Sequence, residues 1–212
     1  MAPYRIRLTY SKTGAIRYTG HLDLYRVWER AFRRSHLPVA FSNGFHPLVR
    51  IAMACPLPLG FTGLGELIDL WLVEPVEPKD ILAALSPALP PGLALLKAEV
   101  VDPHAPALQT QVRSSLYQVT LLDPVDPDWL ARQADALLAS PKIERVWRGK
   151  VYDLRPYIEK LECLPSDPHR LNRLRMRLSA REGATGRPEE VLAALGCDPA
   201  LARVERIELI LA

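Results

Sequence analysis

Residues 20–60 read GHLDLYRVWERAFRRSHLPVAFSNGFHPLVRIAMACPLPLG, and this stretch decides how the first half of the chain folds. At about 100° per residue, its first part predicts an amphipathic helix over His21–Ser35. One face is apolar, and the other carries four arginines and one acid. The apolar set is Leu24, Val27, Trp28, Ala31 and Phe32, and the opposite set is Asp23, Arg26, Arg30, Arg33 and Arg34. We therefore expect the helix to dock on a sheet and to present its arginines to water or to an anion.

Strand and helix signals alternate on both sides of this helix. In the first half we predict strands at 4–9, 15–18, 49–54, 66–73 and 94–101, with a hairpin joining the first two, and a second helix at 78–85. In the second half we predict strands at 115–122, 171–179 and 204–211, strand material between 143 and 161, and helices at 128–139 and 188–195. The order βαββαβ in each half is typical of the split βαβ, ferredoxin-like motif.

The sequence therefore predicts an α+β protein of two tandem ferredoxin-like (βαββαβ) halves with antiparallel sheets. The first domain covers residues 1–102 and carries the HLDL motif and the basic helix. Residues 103–114 lack apolar periodicity and are predicted as a linker, and the second domain covers residues 115–212.

Composition limits the class of protein. The 212 residues are 49% hydrophobic, which is enough for a full core, and no apolar run is long enough to cross a bilayer. We expect a cytoplasmic protein without membrane contact. Cys55, Cys163 and Cys197 are widely spaced and form no CxxC pair, which argues against a disulfide framework and a metal site. Because nucleotide-binding, zinc-protease and serine-hydrolase motifs are also missing from the sequence, we expect no cofactor and no enzyme that acts alone.

Charge is distributed unevenly. Residues 1–50 contain nine Lys or Arg against two Asp or Glu, whereas residues 51–102 contain two against seven. This asymmetry favours a surface that faces a polyanion such as RNA. A second basic feature is the row Arg173, Arg175 and Arg177, which alternates with apolar residues and predicts one cationic face of a strand. The alternative for this row is cross-strand pairing with Glu144, Asp153 or Glu159.

Polar residues around the basic helix are candidate contacts. His21 begins the helix, where free backbone N–H groups favour an anion, and it either contacts phosphate, transfers a proton or orients the loop. Ser42 and Asn43 lie in a polar loop after the helix, and Arg50 follows that loop. We expect Phe45, in the same loop, to pack into the core rather than to stack on a base.

A resemblance adds context. The residues that carry it are Lys12-Thr13-Gly14, His21-Leu22-Asp23-Leu24, Glu29-Arg30, Arg33-Arg34, Leu37-Pro38, Ser42, Gly44-Phe45, Pro47, Pro56-Leu57-Pro58 and Gly60, with a shorter block at Asp153–Ile158. Through them the chain resembles the radical-SAM-linked domain of unknown function, which is fused to or encoded beside cobalamin-binding radical SAM proteins. His46 stands where that family usually has Asn, so it is not taken as a catalytic residue.

The resemblance implies a radical SAM partner supplied in trans, because the CxxxCxxC motif is missing from this sequence. Our main hypothesis is an accessory RNA-binding protein that positions a substrate for that partner. Two alternatives remain open. The first is a metal-independent endoribonuclease that resembles the CRISPR repeat-processing enzymes, with His21 as its general acid or base. The second is a protein-interaction module without nucleic acid.

Overall fold

The computed structural model describes residues 4–147, 149–181 and 183–212, and the chain divides into two compact units. The first unit ends at Val112 and the second covers Arg113–Ala212. The protein is a mixed α+β protein with mostly antiparallel strands, as the sequence predicts. Within the described residues, none of the helices combines the length and the apolar character needed to cross a membrane.

The first unit contains one four-stranded antiparallel sheet in the order β2-β3-β1-β4. Its strands are β1 (Tyr4–Lys12), β2 (Ile51–Met53), β3 (Thr62–Leu72) and β4 (Leu93–Val101). Its helices are α1 (His21–Arg34), α2 (Pro78–Leu85) and α3 (Leu108–Gln111). Two 3₁₀ turns cover Gly14–Tyr18 and Ser86–Ala88.

Apolar and polar residues alternate along the strands, so that one face of the sheet is apolar and forms the core of this unit. Ile6, Leu8 and Tyr10 of β1 are buried on one face, and Trp28 of α1 packs edge-on against the Tyr10 ring at 4.8 Å. Phe32 stacks on Trp28 at 5.5 Å. The apolar face of α1 therefore docks on the sheet, and the prediction from its periodicity is confirmed.

The predicted hairpin strand at 15–18 is wrong, because this segment is the 3₁₀ turn Gly14–Tyr18. The buried Lys12 side chain explains the turn, since its Nζ donates to the carbonyl oxygen of Thr19 at 2.9 Å and to that of Arg17 at 3.3 Å. These bonds hold the segment against the end of β1, so that it does not pair as a strand.

Part of the segment predicted as a linker packs on the first unit. Leu108 in α3 is fully buried, and the guanidinium of Arg5 donates to the carbonyl oxygens of Ala105 and Pro106 at 2.6 and 2.9 Å. Arg5 also pairs with Asp69, on the sheet face opposite the core. This segment therefore covers part of the sheet face that a split βαβ motif leaves open.

In the second unit, the main strands lie in the order β10-β9-β5-β11, and β8 also pairs with β9. The strands of this sheet are β5 (Val112–Leu121), β8 (Ile158–Leu164), β9 (Arg173–Arg181), β10 (Ala184–Thr185) and β11 (Ala202–Leu211). β6 (Glu144–Trp147) and β7 (Lys150–Asp153) form a separate two-stranded hairpin. The helices are α4 (Pro127–Ala139) and α5 (Pro188–Ala194), and 3₁₀ turns cover Arg155–Tyr157 and Pro199–Leu201.

Candidate nucleic-acid interface

Helix α1 presents its arginines away from the core. Leu24, Trp28, Ala31 and Phe32 are buried, and residues of the opposite side are exposed. We call the exposed arginines of this helix the arginine stripe, which consists of Arg26, Arg30, Arg33 and Arg34. With Asp23 and Glu29 as the acids of the helix, α1 carries four positive and two negative side chains.

The stripe is only weakly neutralised by its neighbours. Arg26 pairs with Asp23 at 3.1 Å and Arg33 with Glu29 at 2.9 Å, and three of these four side chains are at least 46% exposed. Exposed pairs of this kind contribute about 0–1 kcal/mol, so a phosphate can replace the carboxylate at little cost. Arg30 is exposed, and no hydrogen bond or ion pair to another described residue engages its guanidinium.

Arg34 differs from the other arginines of the stripe. Its guanidinium donates to the carbonyl oxygen of Ala88 at 2.6 Å, which ties the end of α1 to the turn after α2. Arg26 and Arg30 make no such bond to the backbone and are therefore the members with more freedom to contact a ligand.

The loop 41–48 closes on itself beside the stripe. The Ser42 N–H donates to the Leu48 carbonyl oxygen at 2.8 Å, and the Leu48 N–H donates to the Ser42 hydroxyl at 3.0 Å. These bonds hold the tip of the loop in solvent. Phe45 is fully exposed there, so our expectation that it packs into the core is wrong. Asn43 is also exposed at this tip.

Arg33 connects the helix to the loop. Its guanidinium lies 5.0 Å from the centre of the Phe41 ring and donates to the Pro47 carbonyl oxygen at 3.1 Å. A hollow of about 380 Å³ opens beside this contact, lined by Phe32, Arg33, Leu37, Pro38, Val39 and Phe41. The stripe and the loop 41–48 therefore form one continuous surface, which we call the α1–loop surface.

His21 lies apart from this surface. It is about 140° around the helix from Arg26, and the cation that affects its pKa is Lys12. Burial lowers the pKa of His21, and the positive charge of Lys12 lowers it further. The imidazole is therefore neutral near pH 7. Sequence reasoning missed the effect of Lys12 on His21, although Lys12 opens one of the quoted motif blocks.

Arg50 lies over the opposite face of the sheet. Its guanidinium is 4.8 Å from the ring centre of Trp71, which alternates with the buried Leu70 and Leu72 along β3. Arg5 contacts the same ring at 5.3 Å. The structure therefore does not bring Arg50 together with the arginine stripe.

The arginine row of the second unit has the predicted alternation, since Leu174, Met176 and Leu178 between its members are buried. Arg177 pairs with Glu159 at 2.7 Å, as the cross-strand alternative predicts. The other two acids pair elsewhere: Glu144 with Lys142, and Asp153 with the backbone N–H groups of Ile143 and Arg155.

The remaining members of the row differ from each other. Arg173 donates to the Pro165 carbonyl oxygen at 2.8 Å, whereas Arg175 is exposed and faces Glu162 of β8 in the strand register. Glu162 itself pairs with Lys160 at 2.6 Å. The row is thus partly used for bonds within the unit and is a weaker candidate for binding than the α1–loop surface.

Comparison with known proteins gives a family for this arrangement. No curated protein matches the sequence. Residues 5–188 match the family described as "Uncharacterized protein conserved in bacteria (DUF2344)", and the match includes the α1–loop surface and the arginine row. That description names no partner enzyme, so the radical SAM association stays a prediction. Since the match covers most of its 212 residues, the chain belongs to the DUF2344 family of bacterial proteins.

Proposed function

We propose that the protein binds RNA through the α1–loop surface. The observation that carries this proposal is a stripe of exposed arginines continuous with a loop whose tip bears a fully exposed Phe45. Arginines attract the phosphate backbone, and release of counterions makes such binding depend on salt. An exposed ring has no folding reason to lie in water, and aromatic rings stack on unpaired bases.

The pairing of cations with an exposed ring favours RNA that displays unpaired bases. Sequence-specific RNA recognition targets loops and bulges, where bases are splayed out and stack on aromatic or guanidinium planes. Arg33 lies against Phe41, so the loop that carries Phe45 offers a second stacking plane four residues earlier in the sequence. A structured RNA with a single-stranded loop is therefore the substrate class we propose.

We further propose that both units have the ferredoxin-like topology. The order β2-β3-β1-β4 in the first unit and β8-β9-β5-β11 in the second support this assignment, because each places strands two, three, one and four of a βαββαβ unit side by side. The hairpin β6–β7 is then an insertion in the second unit.

In the cell, the protein would act in the cytoplasm as an accessory factor that holds RNA for a radical SAM enzyme supplied in trans. This part of the proposal rests on the resemblance in the first seventy residues. A pull-down of such an enzyme that depends on Arg30 and Arg33 but survives nuclease treatment would support the protein-interaction alternative instead.

One observation favours the endoribonuclease alternative. His21 is partly buried beside Lys12 and has a lowered pKa, so its imidazole is able to accept a proton near pH 7. In this alternative, bound RNA is cleaved without added metal and His21→Ala abolishes cleavage. Unchanged cleavage in His21→Ala would remove the alternative.

Fluorescence anisotropy with a labelled RNA hairpin, measured between 50 and 200 mM salt, tests the main proposal. We expect affinity to fall with salt, and we expect Arg30→Gln to reduce the slope of log affinity against log salt by roughly 0.7 to 0.9. Arg132→Gln is the matched control, since Arg132 is an exposed arginine of α4 in the second unit. Binding that is absent, or that does not change with salt, would overturn the proposal.

A further inference from the structure

The second unit contains a cavity that shares no lining residue with the α1–loop surface. It has a volume of about 330 Å³, which lies within the range of small-ligand sites. The hairpin β6–β7 forms one side of it, and the two valines of this hairpin, Val146 and Val151, are both 63% exposed. The residues that line the cavity include Trp147, Lys150, Tyr152, Tyr157, Thr185 and Arg187.

Planar groups form the walls of this cavity. The rings of Tyr152 and Tyr157 stack with their centres 6.1 Å apart and their planes 20° apart. The guanidinium of Arg187 lies 4.0 Å from the centre of the Trp147 ring. Two stacked pairs of planar side chains thus border the same space and give it flat, partly aromatic walls.

The described residues that line the cavity carry a net positive charge. Lys150 and Arg187 are the cations of the lining, and none of the described residues that line it is acidic. The nearby Glu190 of α5 is paired with Arg145 at 2.9 Å, so this carboxylate is already neutralised. Lys150 is exposed, which leaves its ammonium group accessible to an anion from solvent.

We infer that this cavity binds one nucleoside phosphate unit, with the base stacked on the aromatic walls and the phosphate on Lys150. The flat walls match the base of such a ligand, and the two cations match its phosphate. The same chemistry is supplied by a free nucleotide or by an unpaired residue of RNA. This inference goes beyond the proposed function, because it concerns a different unit and does not depend on the arginine stripe.

Binding of three ligands to the full chain tests the inference. The first is a labelled ten-residue oligouridylate, the second is an oligomer of the same length whose residues lack bases, and the third is free AMP. Because base stacking on an aromatic side chain contributes strongly to affinity, we expect Trp147→Leu to weaken oligouridylate binding by about fivefold or more. We expect the same substitution to leave the baseless oligomer unaffected.

Lys150→Gln is a second variant, chosen because Lys150 is exposed and its replacement does not disturb the core. It should weaken both oligouridylate and AMP. Lys160→Gln is the matched control, since Lys160 is an exposed lysine of β8 outside the cavity lining and should leave affinity unchanged. Loss of AMP binding in the cavity variants would identify a free nucleotide as a ligand, whereas an effect confined to the oligomer would identify RNA.

The inference and the proposed function fail in different ways. Equal affinity for the two oligomers, together with no effect of Trp147→Leu or Lys150→Gln on any ligand, would overturn the inference even if Arg30→Gln weakens binding of the RNA hairpin. Conversely, binding of AMP that depends on Trp147 would support the inference even if hairpin binding shows no dependence on salt.

Discussion

The four arginines of α1 and the two arginines of β1 come from the same basic stretch of sequence, but the fold uses them in opposite ways. Arg5 is buried, and its guanidinium donates to Asp69 and to two backbone carbonyl oxygens. Arg7 donates to both oxygens of the same carboxylate. The arginines of α1 instead face solvent, where their ion pairs are weak.

This difference limits what can be concluded from the number of charged residues in a sequence. The excess of cations in residues 1–50 indicates a binding surface only for those side chains that the fold leaves in solvent. Arg5, Arg7 and Lys12 are held in the sheet or against its end and serve stability.

Removal of the buried carboxylate should destabilise the fold severely. In Asp69→Ala, Arg5 and Arg7 lose their shared anion and Arg5 stays buried, so we expect a loss of roughly 3–5 kcal/mol in the free energy of unfolding. Urea denaturation measures this loss. The matched control is Asp23→Ala, which removes an exposed carboxylate from Arg26 and should change stability by less than about 1 kcal/mol. Similar losses in the two variants would contradict the separation of the two arginine groups.

A substitution at the loop tip should instead change the affinity for RNA and leave the stability of the fold unchanged. Phe45→Ala should weaken binding of an RNA hairpin by about 1–3 kcal/mol, the typical contribution of stacking on one base. Its stability should not change, because the ring is fully exposed. Leu59→Ala, at an exposed leucine outside the loop, is the control for loss of apolar surface. An unchanged affinity in Phe45→Ala would exclude base stacking at this position.

The elements that follow a local pattern are the ones that the sequence predicts well. The helix Pro78–Leu85 is predicted to the residue, since Pro at its first position and Asp80 in its first turn are local signals. Helix α1 is predicted to within one residue, because its apolar face repeats every three to four residues.

The features that depend on distant contacts are the ones that the sequence does not predict. The alternation of arginines along β1 is the same whether the polar face of the strand meets water or a carboxylate. The sequence pattern therefore does not predict the contact with Asp69, which lies 64 residues beyond Arg5. The cavity in the second unit is missed for the same reason, since the contact between Trp147 and Arg187 joins residues that are far apart in the sequence. The prediction for Phe45 is wrong because it considered only the hydrophobicity of the ring. The position of the ring also depends on the backbone hydrogen bond between Ser42 and Leu48 that closes the loop.

Glu189 is a half-buried carboxylate that shares no hydrogen bond with an arginine, and it should behave unlike Asp69. Burial raises the pKa of Glu189, and its Oε2 has no hydrogen-bond partner among the described residues. A raised folded pKa means that the charged form costs stability above that pKa and that the cost disappears as pH falls. We therefore expect Glu189→Gln to raise the midpoint of thermal unfolding at pH 8 and to raise it less at pH 5. A lower midpoint in the variant at pH 8 would show that the charge is stabilising.

The smallest expected effect concerns His21, which lies between the two arginine groups in the sequence. Its pKa is lowered first by burial and then by Lys12, so the folded protein binds a proton less readily than the unfolded chain. Stability should therefore be fully present above the ordinary histidine pKa of about 6.5 and should decline as pH falls below it. Because His21→Gln removes this titration, the variant should lose less stability than the wild type between pH 7.5 and pH 5.5, as measured by urea denaturation at each pH. If both proteins lose the same stability, His21 is not held neutral by the fold, and the lowered pKa that favours it as a general base at neutral pH would have no support.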